Sequence, residues 1–147
     1  MGQGSVDSIN ITATIGERIV SVKEVRAVAG KGLEGDRYFD HANRDSQVTL
    51  IEAEAIEALA RESGVELKPG DARRNIVTRG VALNHLVERE FRVGEVTLRG
   101  IRLCEPCAHL AGLTTQKVLP GLVHRGGLRA QILNDGVIRT GDIIRAQ

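Results

Sequence analysis

The spacing of its glycines constrains the fold of this chain more than any other feature. There are 17 glycines in 147 residues, and the segments between them are mostly short and rich in valine, isoleucine and threonine. Such residues favour strands, whereas glycine favours the turns that join them. We therefore predict many short strands, at residues 9–15, 19–28, 48–51, 75–77, 91–103, 129–133 and 142–146.

One segment has helical periodicity instead. The sequence IEAEAIEALARESG, residues 51–64, is rich in good helix formers and ends at a glycine. We predict a packing helix there, and a second short helix or a turn within residues 110–122, where glycine and proline interrupt the pattern. The apolar face of the first helix is predicted to contain Ile51, Ala55, Ile56, Leu59 and Ala60.

The motif Asn134-Asp135-Gly136 lies between two strand-like segments and has the residue types of a tight hairpin turn. The chain is therefore expected to close on a β-hairpin. Together these patterns predict a β-rich α+β fold, in which residues 1–147 form a single distorted β-barrel-like domain with one or two short packing helices.

Composition excludes several classes of protein. A net charge of +1 and an aromatic content of 2% disfavour nucleic-acid binding, which relies on basic surfaces and stacking aromatic rings. We find no apolar run of about 20 residues, so no transmembrane helix is predicted. The N-terminal residues do not resemble a secretory signal, and a cytoplasmic location is expected.

Both cysteines lie in one C-x-x-C motif, LCEPCAHL, residues 103–110. Zinc would need two more ligands, and only His109 and His124 are nearby, without the usual spacing. Attachment of a c-type haem is excluded because Ala108 follows the second cysteine. A thiol–disulfide pair, a buried structural cysteine and a single thiolate ligand for a soft metal all remain open.

A metal held partly by a bound cofactor would need anion-binding groups elsewhere, and two segments provide them. GDARRNIVTRG, residues 70–80, contains adjacent arginines and an asparagine. HRGGLRAQI, residues 124–132, contains two arginines and a Gly-Gly pair whose backbone amides suit an anion.

Five segments in order resemble a stand-alone MOSC domain, the family named after the C-terminal domain of molybdenum cofactor sulfurases. They cover nearly the whole chain, and the barrel-like fold of the family agrees with the fold predicted above. The segments are GKGLEGDRY (30–38), VTLIEAEAI (48–56), GDARRNIVTRGVALNHL (70–86), FRVGEVTLRGIRLCEPC (91–107) and HRGGLRAQILNDGVIRTGDII (124–144).

The resemblance implies a molybdopterin-type molybdenum cofactor with one protein cysteine as a sulfur ligand. By motif position Cys107 is that metal ligand and catalytic residue, and Cys104 is secondary. Each implied cofactor-binding residue also has a structural alternative: for example, the alternative for an arginine at 73 or 74 is an ion pair with Asp71 or another surface carboxylate. The implied cofactor-binding set is Asp36, Arg37, Arg73, Arg74, Asn75, Arg125, Gly126, Gly127 and Arg129.

Two functions follow from this resemblance. The first is a molybdenum-dependent oxidoreductase that reduces N-hydroxylated small molecules and receives electrons from a separate reductase, because the chain has no flavin, haem or iron–sulfur motif. The second is a carrier that holds sulfur as a persulfide on Cys107, or holds the cofactor, and delivers it to metalloenzymes. A pyridoxal-phosphate desulfurase would then be a separate protein, since no such site is seen here.

Overall fold

A computed structural model of the chain describes residues 3–13, 19–40, 47–64, 73–104 and 126–146. Within them the chain is mostly strands. The strands are β1 (Gln3–Ile11), β2 (Val20–Val22), β3 (Glu24–Val28), β4 (Gly32–Leu33), β5 (Val48–Glu52), β6 (Ile76–Arg79), β7 (Glu90–Val93), β8 (Val96–Leu103), β9 (Leu128–Ile132), β10 (Gly136–Arg139) and β11 (Ile143–Ala146).

Seven of these strands close into a barrel. The hydrogen-bonded order is β1, β6, β5, β9, β8, β7 and β11, and β11 pairs again with β1. β2 extends the barrel sheet beyond β1, and β10, β3 and β4 form a separate small sheet. The predicted β-rich, barrel-like fold is confirmed. Alternate residues of the barrel strands point inward, where the core includes Val48, Leu50, Ile76, Phe91, Leu98 and Leu128.

The helix α1 (Ala53–Ser63) joins β5 to β6, which are parallel neighbours. Parallel strands need such a crossover connection. Four consecutive residues of β5, Val48 to Ile51, are buried because this strand faces the barrel core on one side and α1 contacts it on the other. Gly64 ends the helix with a positive φ of 69°, as predicted from the sequence.

The predicted helix began two residues too early. Ile51 and Glu52 belong to β5, where Ile51 pairs with Val77 and Glu52 with Thr78. Ladder hydrogen bonds with β6 hold these two residues extended despite their helical periodicity. The segment 110–122, in which a second helix or a turn was predicted, lies outside the described residues; a short 3-10 turn is present at Leu83–Leu86.

The predicted terminal hairpin is wrong. β10 pairs with β3, whereas β9 pairs with β8 and β5, so the turn at residues 134–136 passes the chain from the barrel to the small sheet. The polar side chains of this turn bind other segments: Asn134 accepts the N–H of Thr97, and Asp135 accepts that of Ala29.

A true two-residue hairpin joins β7 to β8, inside what was predicted as one strand from 91 to 103. Val93 and Val96 are the last paired residues, and Gly94 has a φ of 59°. A positive φ at this position matches the twist of the flanking strands. The predicted strand 19–28 likewise consists of β2 and β3. None of the helices in the described segments is long and apolar enough to cross a membrane.

Candidate functional site

Arg74 joins two segments that are far apart in sequence. Its side chain is 8% exposed; Nε donates to the carbonyl of Gly126 at 2.8 Å, and a terminal nitrogen donates to the carbonyl of Cys104 at 3.2 Å. Hydrogen bonds from a charged donor are stronger than neutral ones, and a buried carbonyl that loses its donor is costly. Arg74 therefore holds the end of β8 close to the start of β9.

Backbone contacts join the same two segments. The N–H of Cys104 donates to the carbonyl of Gly127 at 2.7 Å. Gly127 has a φ of 116°, and a Cβ there would collide with the carbonyl of Leu50. The second glycine of the Gly-Gly pair is thus required by close backbone packing, and Cys104, 2% exposed, is fixed beside it.

Asn75 connects β1, β5 and β6. It is fully buried; its Oδ1 accepts from the backbone N–H of Thr49 at 3.0 Å and lies 3.2 Å from the Thr49 hydroxyl. Its Nδ2 donates to the carbonyl of Asn10 at 3.1 Å. Thr49 is also the direct cross-strand partner of Arg129, which places Arg129 next to this network.

Asp36 and Arg37 lie against the segment that precedes β6. Asp36 accepts the backbone N–H of Thr12 at 3.1 Å and pairs with Arg37 at 3.3 Å, with both side chains buried. Arg37 also donates to the carbonyl of Arg73 at 2.9 Å and lies 4.6 Å from the ring centre of Tyr38. Asp36 and Arg37 thus form a salt bridge within this loop, and Arg37 also ties the loop to Arg73.

Arg73 occupies an unusual position in both backbone and charge. Its φ of 58° is in the left-handed region, which a non-glycine residue rarely adopts. Burial lowers the pKa of its guanidinium, and the nearby positive charge of Arg37 lowers it further. Two guanidinium groups thus lie close to one carboxylate, and guanidinium groups are suited to binding an anion.

The structure brings together most of the residues predicted to bind a cofactor. Arg74 links residues 73–75 to Cys104 and to the Gly126–Gly127 pair, Arg37 links the loop at 36–37 to Arg73, and Arg129 lies opposite Thr49. Cys107 and Arg125 lie outside the described residues, as do His109 and His124 of the zinc hypothesis. Within the described segments, no group of three or more His, Cys, Asp or Glu side chains is placed to hold a metal ion.

Sequence reasoning missed three polar residues that complete this arrangement. Asn10, Thr12 and Thr49 are each at most 3% exposed and bind Asn75 or Asp36. Thr49 is a polar residue inside the apolar run of β5, and that interruption is the signal in the sequence. We call the residues Asn10, Thr12, Asp36, Thr49, Arg74 and Asn75 the buried polar cluster.

Solved structures share this fold. The chain matches the YuaD protein of Bacillus subtilis with a TM-score of 0.85 and 16% identity, over 98% of this chain and 95% of that one. It matches YiiM of Geobacillus stearothermophilus with a TM-score of 0.75 and 18% identity, over 98% of this chain and 75% of that one. For YiiM of Escherichia coli the values are 0.72 and 18%, over 97% and 69%.

At these identities the likeness establishes the fold, and the family is established by the sequence itself. No curated protein matches the chain. The family model of the MOSC domain matches residues 37–145, a span that contains both arginines of the ARRN segment, the C-x-x-C motif and the Gly-Gly pair. The chain therefore belongs to the MOSC domain family.

Proposed function

We propose that this MOSC protein binds a molybdenum cofactor and reduces N-hydroxylated small molecules, with Cys107 as the protein ligand of the metal. The observation that carries the proposal is the pair of hydrogen bonds that Arg74 donates. They join the ARRN segment, residues 72–75, to Cys104 and Gly126. Residues that the sequence resemblance assigned to one site, separated by up to 52 positions, are in direct contact.

The charges of the described residues fit a cofactor with a phosphate group. Arg37 donates to the carbonyl of Arg73, and its charge adds to the effect of burial in lowering the pKa of Arg73. Arg74 lies at the ends of β8 and β9. Guanidinium groups bind phosphate with paired hydrogen bonds. These residues would hold and orient the cofactor, and Arg74 also fixes the chain three residues before Cys107.

When bound, molybdenum would supply the two-electron oxygen-atom chemistry that converts an N–OH group to N–H with release of water. That conversion consumes two electrons and two protons, which an external donor and solvent must provide. The role of the protein is then to position the cofactor, to exclude competing reactions and to accept a donor protein.

The test is an elemental and kinetic comparison of matched cysteine variants. The protein is purified from cells that make the molybdenum cofactor, and bound molybdenum and zinc are measured together with reduction of an amidoxime by reduced methyl viologen. We expect molybdenum and activity in the wild type and in Cys104→Ser, and loss of both in Cys107→Ser.

Three results would contradict this proposal. Equal loss of molybdenum and activity in both cysteine variants would favour a thiol–disulfide pair. Stoichiometric zinc in the wild type would favour a zinc site. Wild-type protein without molybdenum, but with a persulfide on Cys107, would favour the sulfur carrier.

A further inference from the structure

One side of the barrel has a concentration of arginines that the buried polar cluster does not use. They project from the outer face of three neighbouring strands, β7, β8 and β11, where alternate residues point away from the core. We call this surface the basic face. Its residues are Arg92, Arg99, Arg102 and Arg145.

The basic face differs from three exposed arginines elsewhere in the described chain, which are paired with carboxylates. Arg26 pairs with Glu34 and Asp135, Arg79 with Glu57 and Asp7, and Arg139 with Glu24. Within the described segments, Arg92, Arg99 and Arg145 have no carboxylate within 4 Å, although Glu90 is the cross-strand neighbour of Arg99.

The arrangement of Arg92 and Arg145 leaves space for an anionic group. They are direct cross-strand partners, so their like charges repel each other on one face of the sheet. A groove of about 290 Å³ lies between them and is lined also by Gly94 and Ile143. A carboxylate from another molecule would relieve that repulsion and accept forked hydrogen bonds from Arg92. Nε and a terminal nitrogen of Arg145 already donate to the side-chain oxygen of Gln3, at 2.9 and 3.1 Å.

The basic face also leads to the candidate site. Arg102 lies two residues before Cys104 and is the cross-strand partner of Arg129, which in turn lies opposite Thr49 of the buried polar cluster. From β8 to β11 the face spans two inter-strand spacings, about 10 Å, which suits a local patch of carboxylates on a folded protein. A molecule docked there would be beside the strand ends that Arg74 holds together.

The chemistry of the face favours an acidic protein over a nucleic acid. None of the three aromatic residues of the chain is on this face: Phe91 points into the core, Tyr38 lies against Arg37, and Phe39 follows Tyr38 in the loop that contains Asp36. Single-stranded nucleic acids are bound largely by stacking on such rings. The acids near this face are fewer than its arginines: Glu90 is opposite Arg99, and the Asp142 carboxylate lies beside Gly94 of the groove.

We propose that the basic face docks a carboxylate-rich protein partner that delivers electrons to the candidate site. The delivery role rests on the proposed function, whereas the docking does not. The partner is recognised by its acidic surface, and the groove between Arg92 and Arg145 receives one of its side-chain carboxylates.

The experiment compares two triple variants that lose the same number of positive charges. Arg92→Gln/Arg99→Gln/Arg145→Gln neutralises the basic face, and Arg26→Gln/Arg61→Gln/Arg139→Gln neutralises exposed arginines elsewhere. Binding of a polyglutamate peptide is measured at low and high salt. We expect the face variant to bind about tenfold more weakly than wild type at low salt, the control variant to bind like wild type, and high salt to remove the difference.

Amidoxime reduction is then measured with two donors, a reduced acidic flavoprotein and reduced methyl viologen. We expect the face variant to reduce the amidoxime more slowly than wild type when the flavoprotein is the donor, and at the wild-type rate when methyl viologen is the donor.

If all proteins are inactive with methyl viologen, the proposed function fails, while the peptide binding still decides the docking proposal. Equal peptide affinity in both triple variants overturns the docking proposal. Tighter binding of an oligothymidylate than of polyglutamate, lost in the face variant, would reassign the face to nucleic acid.

Discussion

Buried and exposed arginines make different contacts in this molecule. Arg74 is nearly buried and donates to backbone carbonyls of Gly126 and Cys104. Arg79 is exposed and pairs with Glu57 at 2.7 Å and with Asp7 at 3.6 Å. Water competes for the second set of contacts and not for the first. A shorter contact at the surface is therefore expected to stabilise the fold less than the longer ones of the buried polar cluster.

Of the variants compared here, Gly127→Ala, in the buried region, should lower the free energy of unfolding the most. An added Cβ collides with the carbonyl of Leu50 in a backbone conformation that already disfavours alanine, and we expect a loss of about 4 kcal/mol. Gly141→Ala is the matched control, since its φ is also positive but its Cβ would meet open space; about 1 kcal/mol is expected there. Urea unfolding of both variants measures the difference, and equal losses would show that backbone conformation alone matters.

Arg74→Ala removes donors from two carbonyls, and we expect a loss of about 3 kcal/mol in the free energy of unfolding. Arg79→Ala should leave the unfolding midpoint close to that of wild type, because its partners remain hydrated. The same urea titrations test this, and molybdenum content provides a second measurement for Arg74→Ala. An unchanged midpoint in Arg74→Ala would mean that water replaces the guanidinium.

Thr49→Val keeps the shape of the side chain and removes one hydroxyl. That hydroxyl accepts the backbone N–H of Asn75 at 3.0 Å, so we expect a loss of about 1.5 kcal/mol from the unpaired donor. Thr140→Val, at an exposed turn, is the control and should be nearly neutral. Thermal and urea unfolding measure both; a neutral Thr49→Val would indicate that Asn75 finds another acceptor.

The smallest expected effect is a pair of opposite pH dependences. Burial raises the pKa of Glu52, and the charge of Glu54 raises it further, while the N–H of Leu83 opposes the shift. A raised pKa in the folded state means that the stabilising contribution of this group exists at low pH and is lost as pH rises through that pKa. Glu52→Gln should therefore become more stable relative to wild type as pH rises above the ordinary glutamate range.

Glu57 should show the reverse. Its hydrogen bond with Arg79 lowers the pKa of its carboxyl, so its contribution exists above the ordinary glutamate pKa and is lost as the solution is acidified. Glu57→Gln should lose stability relative to wild type as pH rises, by a small amount because the pair is exposed. Unfolding free energies from about pH 3 to pH 8 give both slopes, and slopes of the same sign would contradict the assignment.

Local sequence patterns predicted the positions of helices and strands better than they predicted which strands pair with each other. Ala55, Ile56 and Leu59 of the predicted apolar face are buried on α1, and the glycine that ends the helix was predicted. Helical periodicity and a positive-φ cap are properties of neighbouring residues. The hairpin prediction at 134–136 failed because Asn134 and Asp135 bind Thr97 and Ala29 rather than closing a turn. Gly94, with a weaker local signal, forms the hairpin because Val93 and Val96 both point into the barrel core.

The candidate site shows the same difference between what local sequence predicts and what tertiary contacts decide. The segments that the motif resemblance assigned to one site are in contact: Arg37 donates to the carbonyl of Arg73, and Arg74 donates to that of Gly126. Their binding of a cofactor stays a prediction. It did not reveal what each residue binds. Arg74 donates to carbonyls that only the folded barrel brings near it, and Thr49 and Asn10 became part of the network because strand pairing places them beside Asn75.

By itself, the sequence determined that the chain is β-rich, that it contains a helix ending at Gly64, and that it belongs to the MOSC family. Each of these depends on residue type and on spacing along the chain. The tertiary structure alone decided that β5 and β6 run parallel, that Arg74 joins Cys104 to Gly126, and that four arginines share one outer face. The physical reason is that closing a barrel fixes register between distant strands, and register determines which side chains meet.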